Sequence, residues 1–355
     1  MGRSTLTDLP NQIVGDMAWF GPEISAKKNR WVIQLQPSEI SELRNAAQFY
    51  LAVDGEIADL VKTSFPLPTL AGKLKKLQAD LIRGHGFALV KGLPVTDMSH
   101  EEAACVFCGL GAHLGHARSQ NAKGHILGHV RDIGADPNDT SARIYQTDAR
   151  QTFHTDSCDV VALLCLNTAK EGGDSLLVSA ESIYNRMCVE RPDYARLLME
   201  PIATDRRGEV PEGADPWFEI PVFSWHNGKL SLMYQRQYID SAQRFPGAPR
   251  LTAKHVEALD MFDALANDPA LNFSMRLEQG DMQFVYNHAL LHDRTGFTDH
   301  LEPERKRHLL RLWLSIPGDR ELPDSFAQRY GNITVGDRGG IVVPGMRLVA
   351  PLTPG

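Results

Sequence analysis

The sequence predicts a mostly β chain with flanking helices, its strands gathered into a β-sandwich or jelly-roll core. Short apolar runs of strand-like composition crowd the chain from residue 143 onward, with glycine-centred turns between them. Helical periodicity falls mainly before that point. No internal repeat, low-complexity segment or linker divides the 355 residues. The reading is therefore one domain, 1–355, with a helical part to about 80, a β core over about 84–318 and a tail over about 319–355.

Taken in order, residues 37–64 carry apolar positions near helical period, and residues 70–83 continue in the same style. GFALVKGLP, from Gly86 to Pro94, is a buried strand stopped by glycine and proline. Ser99 followed by Glu102 is a capping box that opens a helix running to about Leu110. VALLCLN, DSLLVS, IPVFSW, KLSLMY, DMQFVY and HLLRLWLSI are the later strands. Gly172-Gly173-Asp174, Asn227-Gly228 and Gly280-Asp281 supply turns. One further helix covers roughly residues 253–266, and the glycine- and proline-rich tail after Pro323 is expected to wrap the surface.

Composition excludes several classes. A net charge of −7 with dispersed basic residues disfavours a nucleic-acid partner. No apolar run is long enough for a membrane span, and residues 1–13 lack the basic-then-apolar pattern of a secretory signal. Five cysteines in a chain of this length make no disulfide framework, so a cytoplasmic location is expected. Cys105 and Cys108 form a C-x-x-C inside an apolar helical stretch, where buried packing is the expected role. The partner expected is a small molecule, and homo-oligomerisation is compatible with the sequence.

The chain holds four H-x-[DE] matches where chance gives roughly 1.6. His100-x-Glu102 belongs to the capping box, His255-x-Glu257 to a helix start and His300-x-Glu302 to a charged loop. His154-x-Asp156 alone leads into a strand-like run, where side chains two apart point the same way and can reach one ion. A facial triad with open positions needs a second histidine, and NHALLHDRTGF offers His288 and His292. Counting by two from the residue before the strand HLLRLWLSI, Arg307, Leu309, Arg311 and Trp313 share a face. Two arginines on the inward face of an apolar strand are costly unless they meet anions, and a dicarboxylate would supply one.

Two stretches, QTFHTDSCDVVALLCLNTAKEGGDSLLVS and NHALLHDRTGF followed by PERKRHLLRLWLSIPGD, resemble the taurine dioxygenase / clavaminate synthase-like group of iron(II)/2-oxoglutarate oxygenases. RGHGFALVKGLP and GLGAHLGHARSQN resemble that group's N-terminal half, so the similarity spans about residues 75–318. The resemblance implies a distorted double-stranded β-helix (jelly-roll) core. It implies Fe(II) held by His154, Asp156 and His292, with 2-oxoglutarate and O2 as co-substrates. It implies that Arg307 binds the distal carboxylate of 2-oxoglutarate, helped by Ser175 where the group more often has threonine. A guanidinium fork matches a carboxylate in a way lysine cannot.

The reaction implied is oxidation of an unactivated C–H bond in a small organic molecule, with release of succinate and CO2. Retention of Asp156 argues against halogenation, which needs that coordination position vacant. Desaturation, cyclisation and epimerisation use the same triad, and a cupin-type metal enzyme without 2-oxoglutarate is the competing class; Arg307 speaks against the latter. Candidate substrate residues are Arg311, Asn121, Phe153, Tyr234, Arg236 and Asn287. Arg311 suits an anionic substrate group and equally a structural ion pair, while Phe153 also suits core packing.

Overall fold

The computed structural model describes residues 12–135, 144–343 and 345–354; most of the segment screened above for a secretory signal lies outside them. The chain enters through two short helices, α1 (Gly21–Ala26) and α2 (Lys28–Trp31), and a short strand β1 (Val32–Gln34). That strand is an addition to the all-helical N-terminal part expected. Helix α3 (Pro37–Ala52) starts at a capping box formed by Gln36 and Glu39, with Pro37 in its first turn. It was expected to reach residue 64 but stops at Ala52. Asp54 takes a left-handed conformation (φ 53°), Gly55 follows, and only a 3-10 turn (Ile57–Asp59) comes next.

Helix α4 (Ala71–Arg83) and strand β2 (Phe87–Lys91) fall where expected. Helix α5 (His100–Leu114) is capped by Ser99, whose Oγ accepts from the Glu102 amide at 3.0 Å. The reciprocal half of the box is replaced, because the Glu102 carboxylate accepts from Arg44 Nε at 2.9 Å. Burial of nearly the whole of α5 carries it past Leu110. Cys105 and Cys108 are buried within it; burial pushes the Cys105 thiol up to about 12 and the Cys108 thiol further. Both are therefore inert packing groups at neutral pH.

Short strands β3 (His116–Arg118) and β4 (Leu127–Val130) lead to β5 (Gln151–His154), β6 (Val160–Asn167), β7 (Glu171–Gly172) and β8 (Ser175–Ser179). Helices α6 (Ala180–Glu190) and α7 (Pro192–Leu197) follow, then β9 (Ile202–Asp205), β10 (Trp217–Ile220), β11 (Phe223–His226) and β12 (Lys229–Leu232). Pro221 breaks the expected IPVFSW strand into β10 and β11. The Asn227-Gly228 turn, with φ of 48° and 74°, closes the β11–β12 hairpin. Next come α8 (Arg236–Ala242), α9 (Ala253–Ala266), β13 (Phe273–Met275), β14 (Met282–Tyr286), β15 (Leu290–Arg294), β16 (Phe297–Thr298), β17 (His308–Ser315) and α10 (Ala327–Tyr330).

Seven strands form the major sheet, in the order β1-β2-β14-β6-β17-β3 with β4 also on β17. Four form a minor sheet, β13-β8-β15-β5. Strand alternation assigns the faces. Phe87, Val161, Val285, Leu309 and Trp313 of the major sheet cluster with Leu177 and Leu290 of the minor sheet. The opposite side chains of the major sheet, Leu310, Leu312 and Leu314, pack with α3, α4 and α5. The outer face of the minor sheet, Val178 and Leu291, packs with α6 and α9. The protein is thus built on a core of two β-sheets with helices on their outer faces.

The tail departs from expectation. Phe326, Tyr330 and Ile341 are buried and Arg338 is 0% exposed. Arg338 Nε donates to Asp159 at 2.7 Å and its Nη2 to Asp319 at 2.8 Å. Buried carboxylates demand a counter-charge, and the tail supplies it by entering the interior. Among the described residues no helix is long and apolar enough to cross a membrane.

Candidate active site

His154 ends β5 and His292 lies in β15 directly opposite it in the antiparallel register. Their ring centroids are 4.2 Å apart. Asp156 lies in the turn after β5, with Oδ2 3.8 Å from His292 Nε2. Donor atoms of the three residues all lie within 4.8 Å of one another. The turn is held from outside: Asn287 Oδ1 accepts from the Asp156 amide at 3.0 Å, and Trp313 Nε1 donates to Asp156 Oδ2 at 2.9 Å. Arg311 Nη1 stands 3.6 Å from the same oxygen.

This donor set fits a divalent metal. His154 Nδ1 faces the Thr152 carbonyl at 2.8 Å, which can only accept, so Nδ1 carries the proton and Nε2 presents its lone pair. Gln151 Nε2 stands 2.8 Å from that lone pair. Burial pushes both imidazoles down, His292 to about 3, so both are neutral ligands. Burial raises the Asp156 carboxyl, but Arg311, His292, His154 and the Trp313 bond outweigh it and hold the group ionised. Two neutral imidazoles and one carboxylate leave positions open for other ligands.

His288 is not part of this set. Its Nε2 meets Asp159 at 2.8 Å, in a second cluster with Asp319 that Arg338 neutralises. Of the other H-x-[DE] matches, His255 belongs to the α9 capping box and His100 opens α5.

A cavity runs inward from the triad. It is lined by His154, Asp156, His292, Leu163, Leu277, Ser175, Arg294, Arg307 and Arg311. Arg307 and Arg294 flank the Phe297 ring at 5.2 and 4.7 Å. Each guanidinium has been pushed down to about 10 by burial, Arg294 further by Arg307 beside it. Arg307 is 5% exposed and its Nη1 has no partner among the described residues. An unpartnered buried guanidinium fits an anionic ligand. Gly173 (φ 73°) makes room, since a Cβ there would stand 2.9 Å from Arg307 Nε. Ser175 Oγ, in the same cavity, donates to Gln283 at 3.0 Å.

A second, outward pocket shares Tyr145, Gln151, His154, Asp156 and Arg311 with the first. Asn121, Gln235, Tyr238, Glu209, Phe218 and Arg329 are among its other lining residues. The two spaces meet at His154 and Asp156.

The proposed substrate residues separate accordingly. Asn121 and Arg311 line the outward pocket. Phe153 does not; it is 2% exposed in the core beside α6 and α9. Tyr234 points the same way and donates from its hydroxyl to Asp263 at 2.5 Å. Arg236 is not on a strand: it opens α8 and pairs with Asp240, Asp260 and Asp263. Asn287 braces the Asp156 turn instead of facing the pocket. Sequence reasoning missed Gln151, Arg294, Glu209 and Arg329. Arg294 was legible in principle, two residues after His292 on one strand, whereas Arg329 lies in the tail and carried no signal.

The histidines set a pH dependence. His292 and His308 both fall to about 3, by burial first and then by His154 and His129 respectively. Between about 3 and the 6.5 of an ordinary histidine, the unfolded chain binds more protons than the folded one, so stability rises with pH across that window. Metal-free protein is expected to show a thermal midpoint that falls as pH drops from 7 toward 4. His308→Asn should flatten part of that slope; an unchanged slope would refute the assignment.

Comparison with known proteins gives consistent findings. The family model described as "Taurine catabolism dioxygenase TauD, TfdA family" matches residues 54–313. The FR-33289 synthase of Streptomyces rubellomurinus is 32% identical over 328 residues, 91% of this chain and 96% of that protein. The taurine hydroxylase-like protein SAT17 of Stachybotrys chartarum is 29% identical over 326 residues, covering 88% and 82%. A crystal structure of asparagine oxygenase with Fe(II), 2S,3S-3-hydroxyasparagine and succinate superposes with a TM-score of 0.63 at 19% identity, over 80% of this chain and 93% of that one.

Proposed function

The chain belongs to the TauD, TfdA dioxygenase family, and from that premise we propose that it hydroxylates an unactivated C–H bond of a small organic substrate. It is an iron(II)/2-oxoglutarate-dependent dioxygenase. The two sheets are read as the halves of a distorted double-stranded β-helix within one oxygenase domain, and five free cysteines suit a cytoplasmic location. The observation that carries the site assignment is the meeting of two cavities at His154 and Asp156, one of them ending on the unpartnered guanidinium of Arg307.

His154, Asp156 and His292 would hold iron(II). Bound iron with 2-oxoglutarate supplies the oxidation: dioxygen is consumed, 2-oxoglutarate becomes succinate and CO2, and the substrate is oxidised. The residues of the chain do the positioning. Asn287 and Trp313 fix Asp156. Arg307, with Ser175 in the same cavity, receives the distal carboxylate of 2-oxoglutarate. Arg311 is engaged with Gln120 at 2.7 Å and with Asp156, and its guanidinium lies 4.6 and 5.2 Å from the Tyr145 and Trp313 rings. Those bonds favour a bracing role for it over a primary anion anchor.

Anaerobic titration of the iron(II)-loaded protein with 2-oxoglutarate tests this reading. A weak visible charge-transfer band is expected, followed by succinate on admission of oxygen; absence of both would remove the proposal. Arg307→Ala should raise the 2-oxoglutarate concentration giving half the band by about 30-fold or more, the scale of truncating one side of a buried charge pair. Arg307→Lys should restore little, because a point charge does not reproduce the fork.

A further inference from the structure

We infer that Gln151 is a positioning residue with two successive partners: its amide covers the metal-binding nitrogen of His154 before iron binds, and then donates to the carboxylate by which 2-oxoglutarate joins the metal. This rests on the reading of the triad as the iron site. The placement of Gln151 comes from an irregularity in the minor sheet. On a regular strand side chains alternate, so residues three apart face opposite ways. Gln151 and His154 are three apart on β5, yet both line the same two cavities. The register gives the reason. His154 pairs with His292 and Gln151 with Arg294, so three steps along β5 are matched by two along β15, and a bulge lies between. A bulge re-aims a side chain, and bulges are over-represented beside active sites. Here it turns Gln151 away from the face on which Phe153 packs and toward the triad.

The contact is chemically specific. Gln151 Nε2 stands 2.8 Å from His154 Nε2. The Thr152 carbonyl holds the ring proton on Nδ1, so Nε2 only accepts and the amide is the donor. A metal takes the same lone pair, at about 2.0–2.1 Å. The two uses exclude each other, so iron binding releases the amide. It is released where the two cavities meet, because Gln151 lines both. The other side chains common to both are engaged. His154 and Asp156 are ligands, Arg311 is tied to Gln120 and Asp156, and the Tyr145 ring lies 4.6 Å from the Arg311 guanidinium. The acceptor that then arrives is 2-oxoglutarate, whose distal carboxylate is held by Arg307 and whose other end meets the metal. A bond to that carboxylate is charge-assisted and stronger than the neutral one given up.

Gln151→Leu removes the donor and keeps all three ligands. Equilibrium dialysis without 2-oxoglutarate should show iron(II) bound about threefold more tightly, because no hydrogen bond has to be given up. Anaerobic titration of the iron-loaded variant should need about tenfold or more 2-oxoglutarate for half the charge-transfer band. The band should also move to shorter wavelength, since a hydrogen bond to bound 2-oxoglutarate lowers the orbital that accepts the electron. Tighter metal with weaker co-substrate is the signature. A side chain that merely supports the site would weaken both on removal, and that result overturns the proposal, as does an unchanged 2-oxoglutarate titration. If Gln151→Leu fails to fold, Gln151→Met, unbranched like glutamine, carries the same expectations and the same refutations. A band in the unaltered protein without these shifts in the variant refutes the Gln151 role and leaves the oxygenase reading standing. Absence of the band from the unaltered protein removes the reading itself.

Discussion

His154→Ala and His292→Ala should each abolish coupled succinate formation and lower iron(II) affinity by more than the 10–100-fold that loss of an outer-shell partner costs. The reason is geometric. The two imidazoles face each other across one register position of β5 and β15, and Asp156 closes the third side from the adjoining turn. Removal of either ring leaves two donors, which do not hold a catalytic ion in a site that must keep positions open. Equilibrium dialysis against iron(II), read beside the charge-transfer band, checks this. Retained coupled turnover in either variant would place the metal elsewhere. Trp313→Phe offers a graded comparison: it keeps all three donors and removes only the bond to Asp156 Oδ2, so its loss should fall in the 10–100-fold range.

Arg338→Ala should destabilise the protein by about 3–5 kcal/mol, the cost of leaving buried charge uncompensated. Arg338, Asp159 and Asp319 have fully buried side chains, and Arg338 bridges both carboxylates. Asp159 also accepts from the Ile316 amide at 2.8 Å and meets His288. Burial raises the Asp159 carboxyl, but His288, Arg338 and the Ile316 bond pull it below its ordinary range, so it is a charge that needs an answer. A drop in thermal midpoint of about 4–7 °C is expected. The double variant Asp159→Asn with Arg338→Met should be more stable than Arg338→Ala, because it deletes the uncompensated charge at Asp159. Iron affinity should fall along with stability, since Asp159 lies three residues after Asp156 and its carbonyl accepts from the Asn287 amide. Unchanged stability in Arg338→Ala would mean that the tail is only a surface wrapping.

That last outcome is the one the sequence alone suggested. Glycine and proline density after Pro323 reads as an exposed strap, and nothing local marks Arg338 as buried or Arg329 as a wall of the pocket. A single arginine carries no periodic signal. The errors over Tyr234 and Arg236 share a cause. Both lie between a strand end and a helix start, where strand alternation ends and the facing of a side chain can no longer be counted along the chain. Phe153 lies inside β5 next to His154, so alternation turns it to the opposite face and into the core packing weighed for it. Helix α3 shows the same limit, because apolar spacing ran on past residue 53 while Asp54 and Gly55 turned the backbone away.

What the sequence by itself determined was whatever depends on neighbours in the chain. Alternation in HLLRLWLSI put Leu309, Arg311 and Trp313 on one face, with Arg307 just ahead of the run in step with them, and the structure has Leu310, Leu312 and Leu314 against the helices on the other. His154 and Asp156 two apart at a strand end were legible for the same reason. Tertiary structure decided which distant segments meet. The register that sets His154 opposite His292 arises from the pairing of β5 with β15, and the charge inside the Asp159 cluster draws Arg338 inward. Side-chain period is a local property of the backbone, whereas register and the partner of a buried charge follow from long-range packing, which no run of adjacent residues encodes.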